Sequence, residues 1–327
     1  MRMRQFGLAF NRIFEQWMFL LIPGSLLLGF LFAEGLLPLV AAVPALFAVV
    51  TFTMGLGCGL SQLRLVFARP LPMLLTLLIA HIALPLTAYA IGAALYGPES
   101  PYVIGLVLFA LIPLGVSSVI WVGLSGGSVA MILSMVVVDS LLSPFVVPAG
   151  IRLLFGASIR ADTPAMMTDL LLIVVAPTIA GVLLGEATKG RIADLAKPVT
   201  GPVSKLCFAA VVVLNAAAIE PYVTALKSDM AKLVPIVVLL VGVCYAAGFF
   251  GARPLRSREL EATVSYATGM RNISLGIVIA LQYFSPLAAV PVVLAILIQQ
   301  PVATLYHYVL QKLHKREAER PVSRHVG

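Results

Sequence analysis

Two short stretches of the sequence combine helix-breaking residues with polar side chains inside long apolar segments. They are residues 112–118, with the sequence IPLGVSS, and residues 267–274, with the sequence ATGMRNIS. Unwound backbone at membrane depth persists only where it is buried in protein or faces a water-filled cavity. The N-terminal ends of helices also direct N–H donors and partial positive charge at anions. Both stretches therefore predict the binding of an ion or a small anion.

The two stretches occupy corresponding places in the two halves of the chain. Gly115 and Gly269 are 154 residues apart, which is close to half of the 327 residues. Paired interruptions of this kind are typical of transporters built from inverted repeats, which bind substrate near the middle of the membrane. The alternative is a pair of kinked helices that only pack closely together.

Charged side chains inside the apolar segments are few. Arg271 is the only lysine or arginine deep in such a segment, and Asp139 is the only acid clearly inside one. A charge at the centre of a bilayer costs about 2.5–3.5 kcal/mol on an insertion scale, so both residues are expected to face the protein interior. We expect Asp139 or His81 to be the partner of Arg271. The alternative is a structural salt bridge with no role in transport.

His81 has two interpretations. A lone histidine on an apolar helix is either a neutral, hydrogen-bonded core residue or a side chain that titrates near physiological pH. A nearby Arg271 disfavours the protonated imidazole by like charge. If protons are carried at all, this reasoning makes Asp139 the better candidate.

The segments that must position these residues are long and apolar. Hydrophobic residues make up 61% of the chain and charged residues only 11%, against about a quarter charged in soluble proteins. This composition excludes soluble enzymes, disordered binders and nucleic-acid-binding proteins. A span needs about 20 mostly apolar residues, and the sequence predicts an all-α membrane protein with ten spans. Their approximate limits are 15–33, 36–58, 71–96, 102–125, 128–155, 165–187, 200–222, 232–252, 260–284 and 286–311.

Basic residues are distributed unevenly between the two ends of these spans. Seventeen of the 22 lysine and arginine residues fall on the side of the N-terminus, and four fall on the opposite side. By the positive-inside rule, both termini are expected in the cytoplasm. The net charge of +8 then indicates contact with anionic lipid headgroups and not with nucleic acid. Residues 313–327 are expected to form a polar, disordered cytoplasmic tail.

Several motifs resemble those of the bile acid:sodium symporter family of organic-anion transporters. They are residues 113–118, 127–130 (GSVA), 143–144 (SP), 269–272 (GMRN) and the run from Val290-Pro291 to Gln299-Gln300. The resemblance covers the chain from about residue 15 to 312. It implies one transporter domain of two inverted five-helix repeats, in which broken helices 4 and 9 cross. It also implies a panel of spans 1, 2, 6 and 7, a core of spans 3–5 and 8–10, and a place in a bacterial inner membrane.

The resemblance also shows where this chain departs from the family. Sodium-coupled members bind two ions near the crossing through oxygen atoms. The corresponding positions hold Ala267 for the bridging glutamate, Arg271 and His81 for glutamines, Val119 for an asparagine, and Ile132 and Val136 for two hydroxyl residues. Only Ser118 keeps a side-chain oxygen. We therefore expect no bound sodium and no other cofactor, with Arg271 supplying the missing positive charge permanently.

The resemblance further implies a substrate site near the crossing, for carboxylates or sulfonates such as bile acids and pantoate. Asn272 matches a family position that touches substrate, and Gln299 and Gln300 match polar residues of the same cavity. The expected substrate-binding residues are Asn272, Ser117, Ser118, Gln299, Gln300 and Arg271. Arg271 is expected either to pair with Asp139 or to bind the substrate carboxylate in a bidentate contact.

The leading interpretation is a secondary transporter for a small organic anion that works by alternating access without sodium. Uniport, exchange and proton coupling through Asp139 all fit this interpretation, and a sodium-coupled symporter is the nearest alternative. An enzyme is not expected, because His307, His314 and His325 lie at or beyond the end of the last span and form no cluster with Asp139. The three cysteines also lie apart, without a metal-binding spacing.

Overall fold

The computed structural model describes residues 2–156, 162–223 and 227–319. Within these ranges the chain forms helices, joined by short turns, and no strand longer than one isolated bridge between Leu114 and Arg271. The α-helices are α1 (Arg2–Leu31), α2 (Ala33–Leu36), α3 (Val43–Leu56), α4 (Leu60–Ala68), α5 (Pro70–Leu78), α6 (Leu84–Tyr96), α7 (Pro101–Leu111), α8 (Ser118–Leu124), α9 (Val129–Phe155), α10 (Thr163–Leu170), α11 (Ala176–Ala187), α12 (Arg191–Val223), α13 (Lys227–Ala252), α14 (Arg258–Gly269), α15 (Ile273–Tyr283) and α16 (Pro286–Glu319).

Short helices of other types connect some of these elements. A 3₁₀ helix, Leu37–Ala42, joins α2 to α3, and another, Arg253–Leu255, follows α13. Single π-helical turns, Ile79–Ala83 and Leu171–Val175, continue α5 into α6 and α10 into α11. The π turns matter for the site, because such turns often occur at functional positions.

Seven helical segments of the described chain are long and apolar enough to cross a membrane. They are Ala33–Leu56, Pro70–Tyr96, Val129–Phe155, Thr163–Ala187, Arg191–Pro221, Asp229–Leu255 and Pro286–Leu313. An eighth is obtained if Gln5–Met18 and Leu20–Leu31, which meet at 80°, count as one span. The fourth and ninth predicted spans do not occur as single helices, because each is divided into two short ones.

The two divisions coincide with the breakers seen in the sequence. Pro113 lacks an N–H and disfavours helical geometry at the residue before it, and Ile112 accordingly ends α7 with a ψ of 153°. The second break is extended at Met270, with φ −112° and ψ 118°. A β-carbon on Gly115 would lie 2.8 Å from the carbonyl oxygen of Arg271, and one on Gly269 would lie 2.5 Å from the Tyr245 ring. Both breaks therefore require glycine for their close approach.

The helices pack in two groups. In the first group α1 packs on α12 and α3 packs on α11 and α12. The backbones approach closely at small residues, since a β-carbon on Gly55 would lie 2.2 Å from the carbonyl oxygen of Thr178. In the second group α7 is enclosed by α6, α16 and α9, and α13 packs on α14. Every residue from Tyr102 to Leu111 is buried, so α7 forms the centre of this group.

The C-terminal helix is longer than the sequence indicated. α16 extends to Glu319, so the first part of the predicted disordered tail continues this helix. Charged residues with high helix propensity, such as the lysines, arginine and glutamates of residues 312–319, favour that continuation. Residues 320–327 of the predicted tail lie outside the described residues.

Candidate functional site

The two helix breaks lie directly against each other. The Gly115 N–H donates to the carbonyl of Met270 at 2.8 Å, and the Asn272 N–H donates to the carbonyl of Pro113 at 2.8 Å. These two bonds flank the antiparallel bridge between Leu114 and Arg271. Buried backbone N–H and C=O groups need hydrogen-bond partners. Each break therefore supplies partners for backbone groups of the other break that lack a helical partner.

Gln299 of α16 holds the second break in place. Its Oε1 accepts the Arg271 N–H at 2.8 Å, and its Nε2 donates to the Arg271 carbonyl at 3.3 Å. Gln300 accepts the indole N–H of Trp121 at 3.0 Å. Both glutamines are buried. In this conformation they bind protein groups, and neither of them borders the two cavities described below. Their expected contact with substrate stays a prediction.

The Arg271 side chain is enclosed at the crossing, with 1% of its surface exposed. Its two terminal nitrogens donate to the carbonyls of Ile112 at 3.4 Å and Ala80 at 3.3 Å, and its Nε has no partner in the described chain. The predicted direct pair with Asp139 or His81 is not present, because no carboxylate of the described residues lies within 4.0 Å of the guanidinium. Asp139 interacts with Arg271 only at longer range.

Asp139 instead pairs with His81. Oδ1 of Asp139 lies 2.5 Å from Nε2 of His81, and Oδ2 accepts the Leu114 N–H at 2.7 Å. His81 lies in the π turn Ile79–Ala83, next to the carbonyl of Ala80 that Arg271 binds. The sequence placed Arg271, Asp139 and His81 in one region but predicted the wrong pairs. Backbone groups bind instead: the carbonyls of Ile112 and Ala80 accept from Arg271, and the Leu114 N–H donates to Asp139.

The positions that the resemblance matches to sodium ligands carry mostly hydrocarbon side chains. Ala267, Ile132 and Val136 are fully buried, and Val119 lines a cavity. The Ser118 hydroxyl donates to the carbonyl of Gly115 at 2.6 Å and is also fully buried. Ser118 therefore stabilises the start of α8 and does not face the cavities. The described residues contain no group of three His, Cys, Asp or Glu side chains able to hold a metal ion.

A cavity of about 430 Å³ separates the two helix groups on one side of the crossing. Phe14, Met18, Val50 and Phe208 line it from the first group. From the first break and α8 it is lined by Val116, Ser117, Val119 and Ile120. A smaller space of about 30 Å³ reaches Arg271 and Asn272, and it shares Val116 and Ser117 with the larger cavity. Of the predicted substrate-binding residues, Ser117, Asn272 and Arg271 thus border these cavities.

Charged residues surround the wide end of the larger cavity. Lys205 binds Glu15 at 3.0 Å and Asn11 at 2.8 Å. Asp194 and Lys197 also line this part of the wall. These side chains lie on α1 and α12, on the side that the charge distribution assigns to the N-terminus.

The opposite side of the molecule is joined by polar contacts that sequence reasoning missed. Asp169 of α10 accepts hydrogen bonds from the Gln282 amide at 2.5 Å and from the Tyr283 hydroxyl. Asn215 of α12 donates to the carbonyl of Ser274 at 3.4 Å. One signal was present in the sequence: Glu15 and Asp169 are 154 residues apart, the separation of the two break glycines.

The chain is similar to known membrane proteins along most of its length. The model of the Sodium Bile acid symporter family matches residues 43–226. A Bacillus subtilis protein, "Uncharacterized protein YbaS", is 36% identical over 90% of this chain and 96% of its own length. "Uncharacterized sodium-dependent transporter YocS" of the same organism is 23% identical over 81% of both chains. The rice protein "Probable sodium/metabolite cotransporter BASS1, chloroplastic" is 29% identical over 74% of this chain and 60% of its own.

The matched region contains the first break, the π turn with His81, and Asp139. The Bacillus relative at 36% identity extends the similarity over the second break as well, since it covers nine-tenths of the chain. YocS and BASS1 are named as transporters. The chain therefore belongs to the sodium bile acid symporter family and is a membrane transporter, not an enzyme.

Proposed function

We propose that the protein is a secondary transporter of a small organic anion that works by alternating access and does not bind sodium. The observation that carries this proposal is the buried Arg271, which has no carboxylate within 4.0 Å in the described chain and lies at the crossing of the two breaks. A fixed guanidinium at this place provides the positive charge that a bound cation provides in sodium-coupled relatives. It also repels a second cation from the same space.

The proposed architecture has ten spans in two inverted five-helix repeats. The divided helices α7–α8 and α14–α15 are the fourth and ninth spans, and the bent α1 is the first. Both termini are proposed to lie in the cytoplasm of a bacterial cell, with basic side chains near anionic headgroups. The 430 Å³ cavity then opens to the cytoplasm, and the Asp169 contacts close the outer side.

The substrate is proposed to bind where the two cavities meet. Ser117 and Asn272 border this space, and the starts of α8 and α15 direct partial positive charge toward it. The walls are largely apolar, with Phe14, Met18 and Phe208 among them. A carboxylate with an apolar body, of the bile-acid-like or pantoate-like kind, matches this combination.

Screening of purified protein by thermal shift against organic acids, in sodium or in choline buffer, tests the proposal. We expect at least one carboxylate to raise the melting temperature equally in both buffers, because ligand binding to the native state stabilises it in proportion to RT ln(1 + [L]/Kd). Uptake of that carboxylate into vesicles should then persist in choline. Uptake that stops without sodium would contradict the proposal.

The second candidate is a sodium-coupled symporter. Two relatives favour it by name, one as sodium-dependent and one as a sodium/metabolite cotransporter. The residues at the crossing argue against it, since Ala267, Ile132 and Val136 offer no side-chain oxygen and hard cations require oxygen ligands. The same uptake comparison separates the two candidates.

The Asp169 contacts provide a separate prediction about alternation. Tyr283→Phe combined with Gln282→Ala removes both donors to the Asp169 carboxylate, so the closed side should open more often. The reporter is a cysteine introduced at the buried Ser274, in a chain with its three native cysteines replaced by alanine. It should react about fivefold faster with a membrane-impermeant maleimide, because a factor of about five corresponds to a loss of about 1 kcal/mol in the preference for the closed outer side.

Tyr308→Phe is the matched control for that experiment. Tyr308 is 64% exposed on α16, so the loss of its hydroxyl should leave the labelling rate unchanged. Equal rates in the double variant and in this control would show that the Asp169 contacts do not hold the outer side closed.

A further inference from the structure

The His81–Asp139 pair leaves one ring nitrogen of His81, Nδ1, without a hydrogen-bond partner in the described chain. Both carboxylate oxygens of Asp139 are occupied, one by His81 Nε2 at 2.5 Å and one by the Leu114 N–H at 2.7 Å. A separation of 2.5 Å between Nε2 and Oδ1 requires a hydrogen between the two atoms. The side chains are 8% and 1% exposed, so water does not replace either contact.

The other ring nitrogen of His81 has no partner in the described chain. Nδ1 is buried and makes no hydrogen bond. In a neutral imidazole that carries its hydrogen on Nε2, Nδ1 keeps a free lone pair. One proton can therefore add to Nδ1, giving an imidazolium whose other N–H is already held by the Asp139 carboxylate. No other bond is made or broken in this step.

The charge of the region changes with that proton. Arg271 donates to the carbonyl of Ala80, the residue before His81, and to that of Ile112, two residues before Leu114. While His81 is neutral, the charges of Arg271 and Asp139 cancel. With His81 protonated the buried region has a net charge of +1, which is costly without a counter-charge. A monovalent anion in the adjacent cavity beside Arg271 and Asn272 supplies it.

Other titratable groups on the packed elements are occupied or distant. Cys244 of α13 lies within electrostatic range of Arg271, while Tyr102 of α7 binds Asp229 and Asp169 of α10 binds Tyr283. Glu261 of α14 precedes Gly269 by eight residues, about 12 Å along the helix. Arg64 of α4 is exposed, and the titratable side chains of α6 are the tyrosines Tyr89 and Tyr96. Arg271 is therefore the charge that governs the pair.

From this arrangement we infer that the His81–Asp139 pair is the coupling site of the transporter and takes up one proton with each monovalent anion. The inference rests on the proposed anion transport and names its coupling ion. It also reverses the assignment from sequence, which disfavoured His81 because the ion pair with Asp139 was not foreseen. The position of His81 in a π turn agrees with this role, since π turns are frequent at functional sites.

Nitrogen NMR of protein labelled in its histidine rings tests the inference, with and without the carboxylate that gives the largest thermal shift. Between about pH 9 and about pH 5, the Nδ1 resonance of His81 should move from the unprotonated to the protonated position, and it should do so at a higher pH with the anion present, because proton and anion stabilise each other's binding. His81→Gln assigns that resonance by its loss. His307→Gln is the control, because His307 has two neutral partners, Ser125 and Gln311, in place of a carboxylate. Its loss should leave the His81 resonance unchanged from that of the native protein at every pH. In Asp139→Asn the imidazolium signal should disappear from this range. A His81 resonance that stays unchanged throughout would overturn the inference.

A flux measurement separates this inference from the proposed function. Vesicles containing the protein and a trapped pH-sensitive dye receive the carboxylate that gives the largest thermal shift. The native protein should acidify the interior during uptake, and in His81→Gln the rate of acidification should fall at least about tenfold. Anion uptake by the native protein without acidification would overturn the proton coupling and leave the proposed function standing. Absence of uptake together with a normal His81 titration would contradict the proposed function alone.

Discussion

Arg271→Gln is expected to reduce anion transport strongly and to lower the thermal stability of the protein. The substitution removes hydrogen bonds from a charged donor to the carbonyls of Ile112 and Ala80, each worth about 1.5–3 kcal/mol. It also leaves Asp139 as a buried carboxylate without a nearby cation, and loss of one partner of a buried charge pair costs about 3–5 kcal/mol. Because Asp139 and Arg271 interact only at longer range, the lower part of this sum is expected.

The measurement is uptake of the carboxylate found by thermal shift, together with the melting temperature in the same detergent. If the guanidinium contributes about 2 kcal/mol to binding of the anion during transport, its loss reduces transport roughly thirtyfold, since 1.36 kcal/mol is a factor of ten. Arg271→Lys keeps the charge but has only one nitrogen in place of the planar fork, so it should retain part of the activity. Unchanged uptake and unchanged sodium independence in Arg271→Gln would refute the fixed-cation proposal.

Gly115→Ala should destabilise the protein and stop transport by separating the two breaks. Its β-carbon would lie 2.8 Å from the carbonyl oxygen and 3.0 Å from the carbonyl carbon of Arg271, and backbone cannot move aside as a flexible side chain does. The hydrogen bond from the Gly115 N–H to Met270 would lengthen at the same time. Overpacking of this kind costs about 1–3 kcal/mol, and the shift displaces Arg271 itself.

Gly242→Ala is the matched control, because a β-carbon there meets nothing within 4 Å. Alanine also favours the helical state over glycine by about 0.5–1 kcal/mol, so this variant should be as stable as the native protein or slightly more stable. Thermal unfolding and uptake should be measured on both variants, and both should fall in Gly115→Ala only. Equal loss in both would show that glycine is required for reasons other than the crossing.

Hydropathy and helix breakers were sufficient to predict the membrane class of the protein and the positions of its two helix breaks. The apolar runs predicted helices that the structure contains, and residues 112–118 and 267–274 predicted two breaks that end α7 at Leu111 and α14 at Gly269. These features are local, because a proline or glycine interrupts a helix wherever the rest of the chain lies. The ten-span count and the inverted repeat remain predictions.

Side-chain partners within the site could not be predicted in the same way. Arg271, Asp139 and His81 were placed in one region, yet Arg271 binds two backbone carbonyls and Asp139 binds His81 and the Leu114 N–H. Sequence shows which side chains carry charge but not which backbone groups a break leaves without helical partners. Gln299 illustrates the same point, since it holds the backbone of Arg271 and borders neither of the two cavities.

The sequence alone thus determined the membrane class, the family resemblance and the exceptional charge at residue 271. Tertiary structure decided which groups bind Arg271 and Asp139, that a cavity lies beside the crossing, and that Asp169 joins α10 to α15. The physical reason is that burial of apolar segments follows composition, whereas the neutralisation of a buried charge depends on distances of a few ångströms between segments far apart in the chain.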